Sequence, residues 1–106
     1  MNKTFASLGI NASLVEALTN QHITEPTAVQ EQAVPAALKG HNLLVQAQTG
    51  TGKTLAFLLP IFQGIKKDAS MTQALIMAPT RELSEQLATV ADSFTPVTGL
   101  DILNLI

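Results

Sequence analysis

Between Ser13 and Gln21 the apolar residues Leu14, Val15, Ala17 and Leu18 recur at helical spacing with polar residues between them. The pattern predicts a short amphipathic helix that Asn11 or Ser13 can cap. His22-Ile23-Thr24-Glu25-Pro26 interrupts it, because Pro26 cannot continue a helix and biases Glu25 toward extended backbone. Thr27-Ala28-Val29-Gln30 then has the form of a capping box, with Thr27 accepting from a first-turn N–H and Gln30 reaching back. It predicts a second helix through about Leu38, closed by Lys39-Gly40, with a kink or an early stop at Pro35.

Beyond Gly40 the apolar residues come in short runs. Residues 42–47, with Leu43-Leu44-Val45 at their centre, read as a buried strand, and so do Ala74-Leu75-Ile76-Met77-Ala78, stopped by Pro79, and the Leu- and Ile-rich stretch Leu100 to Ile106. Helical spacing returns between them. Residues 53 to about 66, including Leu55-Ala56-Phe57-Leu58-Leu59, predict a helix that Pro60 bends and Gly64 weakens. Lys66 to Ser70 is a polar surface connection, and Thr80 caps a helix whose Leu83, Leu87, Val90 and Ala91 share one face, which Phe94 extends before a turn at Thr95-Pro96-Val97-Thr98-Gly99. The order strand, helix, strand, helix, strand predicts an α/β fold with a parallel sheet, as one compact domain or a piece of one.

Composition narrows this only slightly. The 106 residues are 46% hydrophobic, enough for a modest core. Six basic and eight acidic residues leave a net charge of −2, so no broad positive field marks a nucleic-acid partner and any such contact must be local. There are no cysteines, and His22 and His41 make no zinc pattern, which excludes a disulfide framework and a thiolate metal site. The chain is expected to be cytoplasmic, since the start lacks a signal-peptide core and no window approaches the length of a membrane span.

Chemistry concentrates in Ala47-Gln48-Thr49-Gly50-Thr51-Gly52-Lys53-Thr54. A small residue, four others and then Gly-Lys-Thr, between a predicted strand and a predicted helix, is the context of a phosphate-binding loop. Gly50 and Gly52 let successive backbone N–H groups turn inward, and the helix beginning near Lys53 adds the positive end of its dipole. Lys53 would set its ammonium against the β- and γ-phosphates, and the Thr54 hydroxyl would ligate a Mg²⁺ that keeps most of its water. The plainer alternative, a glycine-rich turn beside a surface lysine, requires all these features to coincide by chance.

Three stretches together resemble the DEAD-box ATP-dependent RNA helicases. Glu25-Pro26-Thr27-Ala28-Val29-Gln30, within a segment of about residues 3–31 that begins with an isolated aromatic at Phe5, resembles that family's Q motif. Residues 47–54 resemble its motif I, and Pro79-Thr80-Arg81-Glu82-Leu83 followed by Gln86 resembles its motif Ia. The resemblance covers nearly the whole chain and implies part of a RecA-like domain across residues 1–106, truncated, with three strands and flanking helices. It implies a nucleotide site formed by Phe5, Ile23, Gln30, Gln48, Thr49, Gly50, Thr51, Gly52, Lys53 and Thr54, and RNA backbone contacts from Pro79, Thr80 and Arg81.

These roles suit the residues. The Gln30 amide has one donor and one acceptor face, complementary to N6 and N7 of adenine, which implies ATP over GTP; the plainer role is that of a helix-capping glutamine. Arg81 is the only arginine and stands at a helix start beside Thr80, where guanidinium, hydroxyl and N-terminal amides can meet one phosphate; the plainer role is a solvated side chain paired with Glu82 or Glu85. Such contacts carry no sequence preference. Glu82 reads as structural. Two residues depart from the family's pattern: Ile23 stands where an aromatic usually stacks on adenine, forgoing about 1 kcal/mol of stacking, and His22 stands where glycine is usual.

The hydrolytic Asp-Glu-Ala-Asp segment of the family, its Ser-Ala-Thr motif and the second domain with its arginine fingers have no counterpart in the chain, and Asp101 opens its predicted strand rather than ending it. The expectation is therefore a nucleotide- and RNA-binding portion of a helicase, without RNA-stimulated turnover alone and prone to aggregate through an unpaired strand. The alternatives are a non-catalytic ATP- or RNA-binding fragment and an unrelated phosphate-loop kinase.

Overall fold

The computed structural model describes residues 3–46, 52–65 and 73–105. The chain divides into two compact units, Met1–Gly64 and Ile65–Ile106.

In the first unit a tight turn precedes three helices. Its ends are tied reciprocally: Thr4 N donates to Ser7 Oγ at 2.9 Å and Ser7 N donates to Thr4 Oγ1 at 3.1 Å. The turn buries Phe5, Leu8 and Ile10. Helix α1 spans Ala12–Asn20, with Asn11 as its N-cap accepting from Leu14 N at 2.9 Å, and buries Leu14, Ala17 and Leu18. The end of α1 is a Schellman motif: Ile23 N reaches back to Leu18 O and His22 N to Thr19 O, both at 2.9 Å. That geometry places His22 at φ 63, the single non-glycine residue with positive φ among the described residues.

Helix α2, Ala28–Leu38, begins on the capping box foreseen from sequence and runs through Pro35 without stopping there. It closes with the same 6→1 and 5→2 pair, His41 N to Ala36 O and Gly40 N to Ala37 O, this time with glycine at the left-handed position, φ 87. Helix α3, Lys53–Gly64, also continues past its Pro60. It buries Leu55, Ala56, Leu58, Leu59 and Phe62, and α2 and α3 pack on one another. Burying a leucine or phenylalanine contributes about 1.5–3 kcal/mol each, so α3, together with the N-terminal turn and α1, supplies most of the core of this unit.

The second unit holds helix α4, Arg81–Asp92, and a single turn of helix α5, Thr95–Thr98, where a plain turn was expected. Pro96 explains the difference, since at the start of a helix its fixed φ is favourable and its missing N–H costs nothing. Gly99 then ends the turn at φ 65, its N–H donating to Thr95 O at 2.8 Å.

The expectation of an α/β fold with three parallel strands, a truncated RecA-like sheet, is not met. Among the described residues there is no strand: 42–46, 73–78 and 100–105 carry no regular secondary structure. Branched apolar runs are compatible with strands, but a strand exists only through ladder hydrogen bonds to a neighbour, and no such ladder forms among the described residues. Their side chains are correspondingly uncovered, Leu44 being 94% exposed, Met77 84% and Leu103 81%.

Candidate functional site

Gln30 joins two of the three sequence motifs. Its backbone N–H donates to Thr27 Oγ1 at 3.4 Å, and its Oε1 accepts from Thr27 N at 2.9 Å, completing the capping box. Its Nε2 donates to Gly52 O at 3.1 Å, twenty-two positions along the chain. Gln30 is 2% exposed. A buried amide must find partners, and this one has them on both faces. Each face also keeps capacity in reserve, a second lone pair on Oε1 and a second hydrogen on Nε2, so capping a helix and pairing with a ligand do not compete by count.

Gly52 meets that amide at close range. It has φ +87, and a methyl group built on it would lie 2.5 Å from Gln30 Nε2, 2.9 Å from Thr27 Oγ1 and 3.0 Å from Thr27 Cγ2. Both the backbone angle and the space exclude a side chain. The next residue, Lys53, opens α3 and is exposed, and Thr54 beside it is half-buried. An exposed ammonium at the first residue of a helix stands where free N–H groups and the positive end of the dipole already favour anions. Gln48, Thr49, Gly50 and Thr51 lie outside the described residues.

Of the other expected nucleotide residues, Phe5 precedes α1 and Ile23 lies between α1 and α2. Phe5 is 2% exposed, part of the core. Ile23 is half-buried immediately after the Schellman turn. For Mg²⁺ the described residues hold no group of three His, Asp or Glu side chains suited to a metal ion. A hydroxyl such as that of Thr54 fits Mg²⁺ only together with phosphate oxygens and water, the usual company of this cation.

In the second unit Pro79, Thr80 and Arg81 are all exposed at the start of α4. Thr80 Oγ1 is engaged as N-cap, accepting from Leu83 N at 3.1 Å. Arg81 is the first residue of α4, so its exposed side chain leaves from the end of the helix where free N–H groups and the dipole favour an anion. Among the described residues no helix is long and apolar enough to cross a membrane.

Sequence reasoning did not find Gln63. Its Oε1 accepts from Asn11 N at 2.8 Å and its Nε2 donates to Gly9 O at 2.7 Å. No local pattern marks it, because both partners are more than fifty residues away.

Comparison with known proteins identifies the family. A family model described as DEAD/DEAH box helicase matches residues 27–106. The chain is 48% identical over 108 residues to the ATP-dependent RNA helicase DBP9 of Coccidioides immitis, covering 96% of this chain and 18% of that protein. It is 41% identical to the probable ATP-dependent RNA helicase MG425 homolog of Mycoplasma pneumoniae, covering 100% of this chain and 24% of the relative. The chain thus spans about a fifth of the length of these relatives. Among solved structures it is similar to the RNA helicase Prp28 from Chaetomium thermophilum bound to ADP, with TM-score 0.90 and 34% identity over 98% of this chain and 26% of the other. Dbp5 of S. cerevisiae bound to RNA and ADP BeF3 matches with TM-score 0.80 and 32% identity over 90% of this chain and 25% of the other. The match over residues 27–106 and the identity to these relatives show that the chain belongs to the DEAD/DEAH box helicases.

Proposed function

We propose that this chain is the nucleotide-holding part of an ATP-dependent RNA helicase, with a separate contact to the RNA backbone. Lys53 and the loop before it take the phosphates, Thr54 joins Mg²⁺ brought by them, and Gln30 reads the adenine edge through the reserve capacity of its amide. Ile23 gives the base apolar cover, and Phe5 fixes the turn that precedes α1. Pro79, Thr80 and Arg81 hold RNA by its phosphates, independently of sequence.

The observation that carries this reading is the hydrogen bond from Gln30 Nε2 to Gly52 O, which puts the adenine-reading candidate against the phosphate-loop candidate. The names of the relatives, ATP-dependent RNA helicases, and the ADP and RNA in the titles of the similar structures support it. Hydrolysis would draw on groups beyond these residues, so binding is the property to measure here.

The test is titration of ADP and GDP with the wild type and with Lys53→Ala and Gln30→Ala. Lys53→Ala is expected to weaken both nucleotides by at least roughly tenfold, the size of one charge-assisted phosphate contact. Gln30→Ala is expected to erase the preference for ADP over GDP. Unchanged ADP affinity in Lys53→Ala overturns the reading.

A further inference from the structure

The side chain of Gln63, in the last turn of α3, closes a bridge to the N-terminal turn: one amide face takes the N–H of Asn11 and the other gives to the carbonyl of Gly9. Both bonds are short, 2.8 and 2.7 Å, and the residue is only partly exposed. Gly9 sits tightly between helix ends. It has φ +106, and a methyl group there would lie 3.0 Å from Leu38 Cδ1, the last residue of α2.

What the bridge holds is the start of α1. Asn11 is the N-cap of α1, so the residue whose N–H Gln63 accepts also fixes the first turn of that helix through its side chain. From there α1 runs about 13 Å as a rigid rod to the Schellman turn that delivers Ile23 and, four residues later, the Thr27 cap with Gln30. On α3 itself Gln63 stands about 15 Å from Lys53 at the ordinary helical rise. One side chain thus ties the far end of the helix that begins with the phosphate lysine to the near end of the helix that leads to the base-reading glutamine.

We infer that Gln63 is a positioning residue for the base-binding half of the nucleotide site. It sets α1 against α3, and so sets Ile23 and Gln30 relative to Lys53, without touching nucleotide. The inference rests on the function proposed above. It predicts a separation that a merely stabilising residue would not give: loss of the bridge weakens recognition of the base and leaves capture of the phosphates alone.

Two probes, ADP and inorganic tripolyphosphate, distinguish these outcomes in the protein carrying this chain. Gln63→Met keeps the length of the side chain and removes both hydrogen bonds; Gln63→Glu keeps the acceptor for Asn11 N–H and sets a carboxylate oxygen against Gly9 O. Gln63→Met is expected to weaken ADP by roughly fivefold, about the size of one net hydrogen bond, with tripolyphosphate unchanged within about twofold and Gln63→Glu in between. Equal weakening of both probes, or unchanged ADP affinity in a folded Gln63→Met protein, overturns the inference alone. If Gln63→Met does not fold, the Gln63→Glu protein decides by the same two ratios. Failure of the wild type to bind ADP, or ADP binding indifferent to Lys53→Ala, overturns the proposed function and the inference with it.

Discussion

Gln30 Nε2 donates to Gly52 O across 3.1 Å, and the carbonyl it meets belongs to the residue just before α3. A helix-cap residue and the last glycine of the phosphate-loop sequence are thereby one hydrogen-bonded assembly, with Thr27 as its third member.

Gly52 and Gly40 share the same φ of 87 but differ in their surroundings, since a methyl group on Gly40 meets nothing within 4 Å. Gly40→Ala is expected to cost only the left-handed backbone penalty, about 1–2 kcal/mol. Gly52→Ala is expected to cost more, because the new methyl also displaces the Gln30 amide. Denaturant unfolding of the two variants measures the difference; equal losses would show that the assembly yields freely.

Thr27 caps α2 through a hydroxyl, so Thr27→Val, which keeps its shape, isolates that oxygen. The expected loss is about 1 kcal/mol, and Thr27→Ser is expected to restore most of it. Unfolding midpoints in urea give both numbers, and a neutral Thr27→Val would mean that Gln30 holds the helix start without help.

His22 occupies the left-handed position of the α1 Schellman motif, where a Cβ is unfavourable. His22→Gly is expected to stabilise the chain by up to about 1 kcal/mol, the relief of that strain less the extra freedom glycine has when unfolded. A lower melting temperature for His22→Gly would show that the imidazole makes contacts worth more than the strain.

Arg81 is exposed at the start of α4 and should act on RNA by charge. Arg81→Gln is expected to weaken single-stranded RNA of any sequence alike and to lower the slope of log affinity against log salt by roughly 0.7, one released counterion. Slopes measured for two unrelated oligonucleotides check this; a change confined to one of them would place Arg81 on a base.

What was legible in the sequence was local. The Thr27 and Gln30 capping box, the Asn11 and Thr80 caps and the start of α3 at Lys53 each depend on residues within a turn of one another, and each is present. The three expected strands depended on partners elsewhere in the chain, and Leu43-Leu44-Val45 carries the same branched side chains with or without a neighbour to pair it. The Gln63 bridge was invisible for a related reason, since a glutamine late in a helix has no periodic or spacing signal that points back to Gly9 and Asn11. Of the roles the sequence offered for Gln30, the helix-capping one is present, but the sequence could not say that a further bond goes to Gly52.

Both of the helices that pack on each other contain a proline well inside, Pro35 in α2 and Pro60 in α3. Each proline withholds an N–H from the carbonyl four residues earlier and costs on the order of 3 kcal/mol in a helix interior, more than a segment of this length can recover from its own backbone. Neither helix can therefore persist as a free peptide, and each becomes helical only as the other arrives. The two helices should thus gain and lose their order together, and a substitution of either proline by alanine should loosen that mutual dependence by lifting that cost from its own helix.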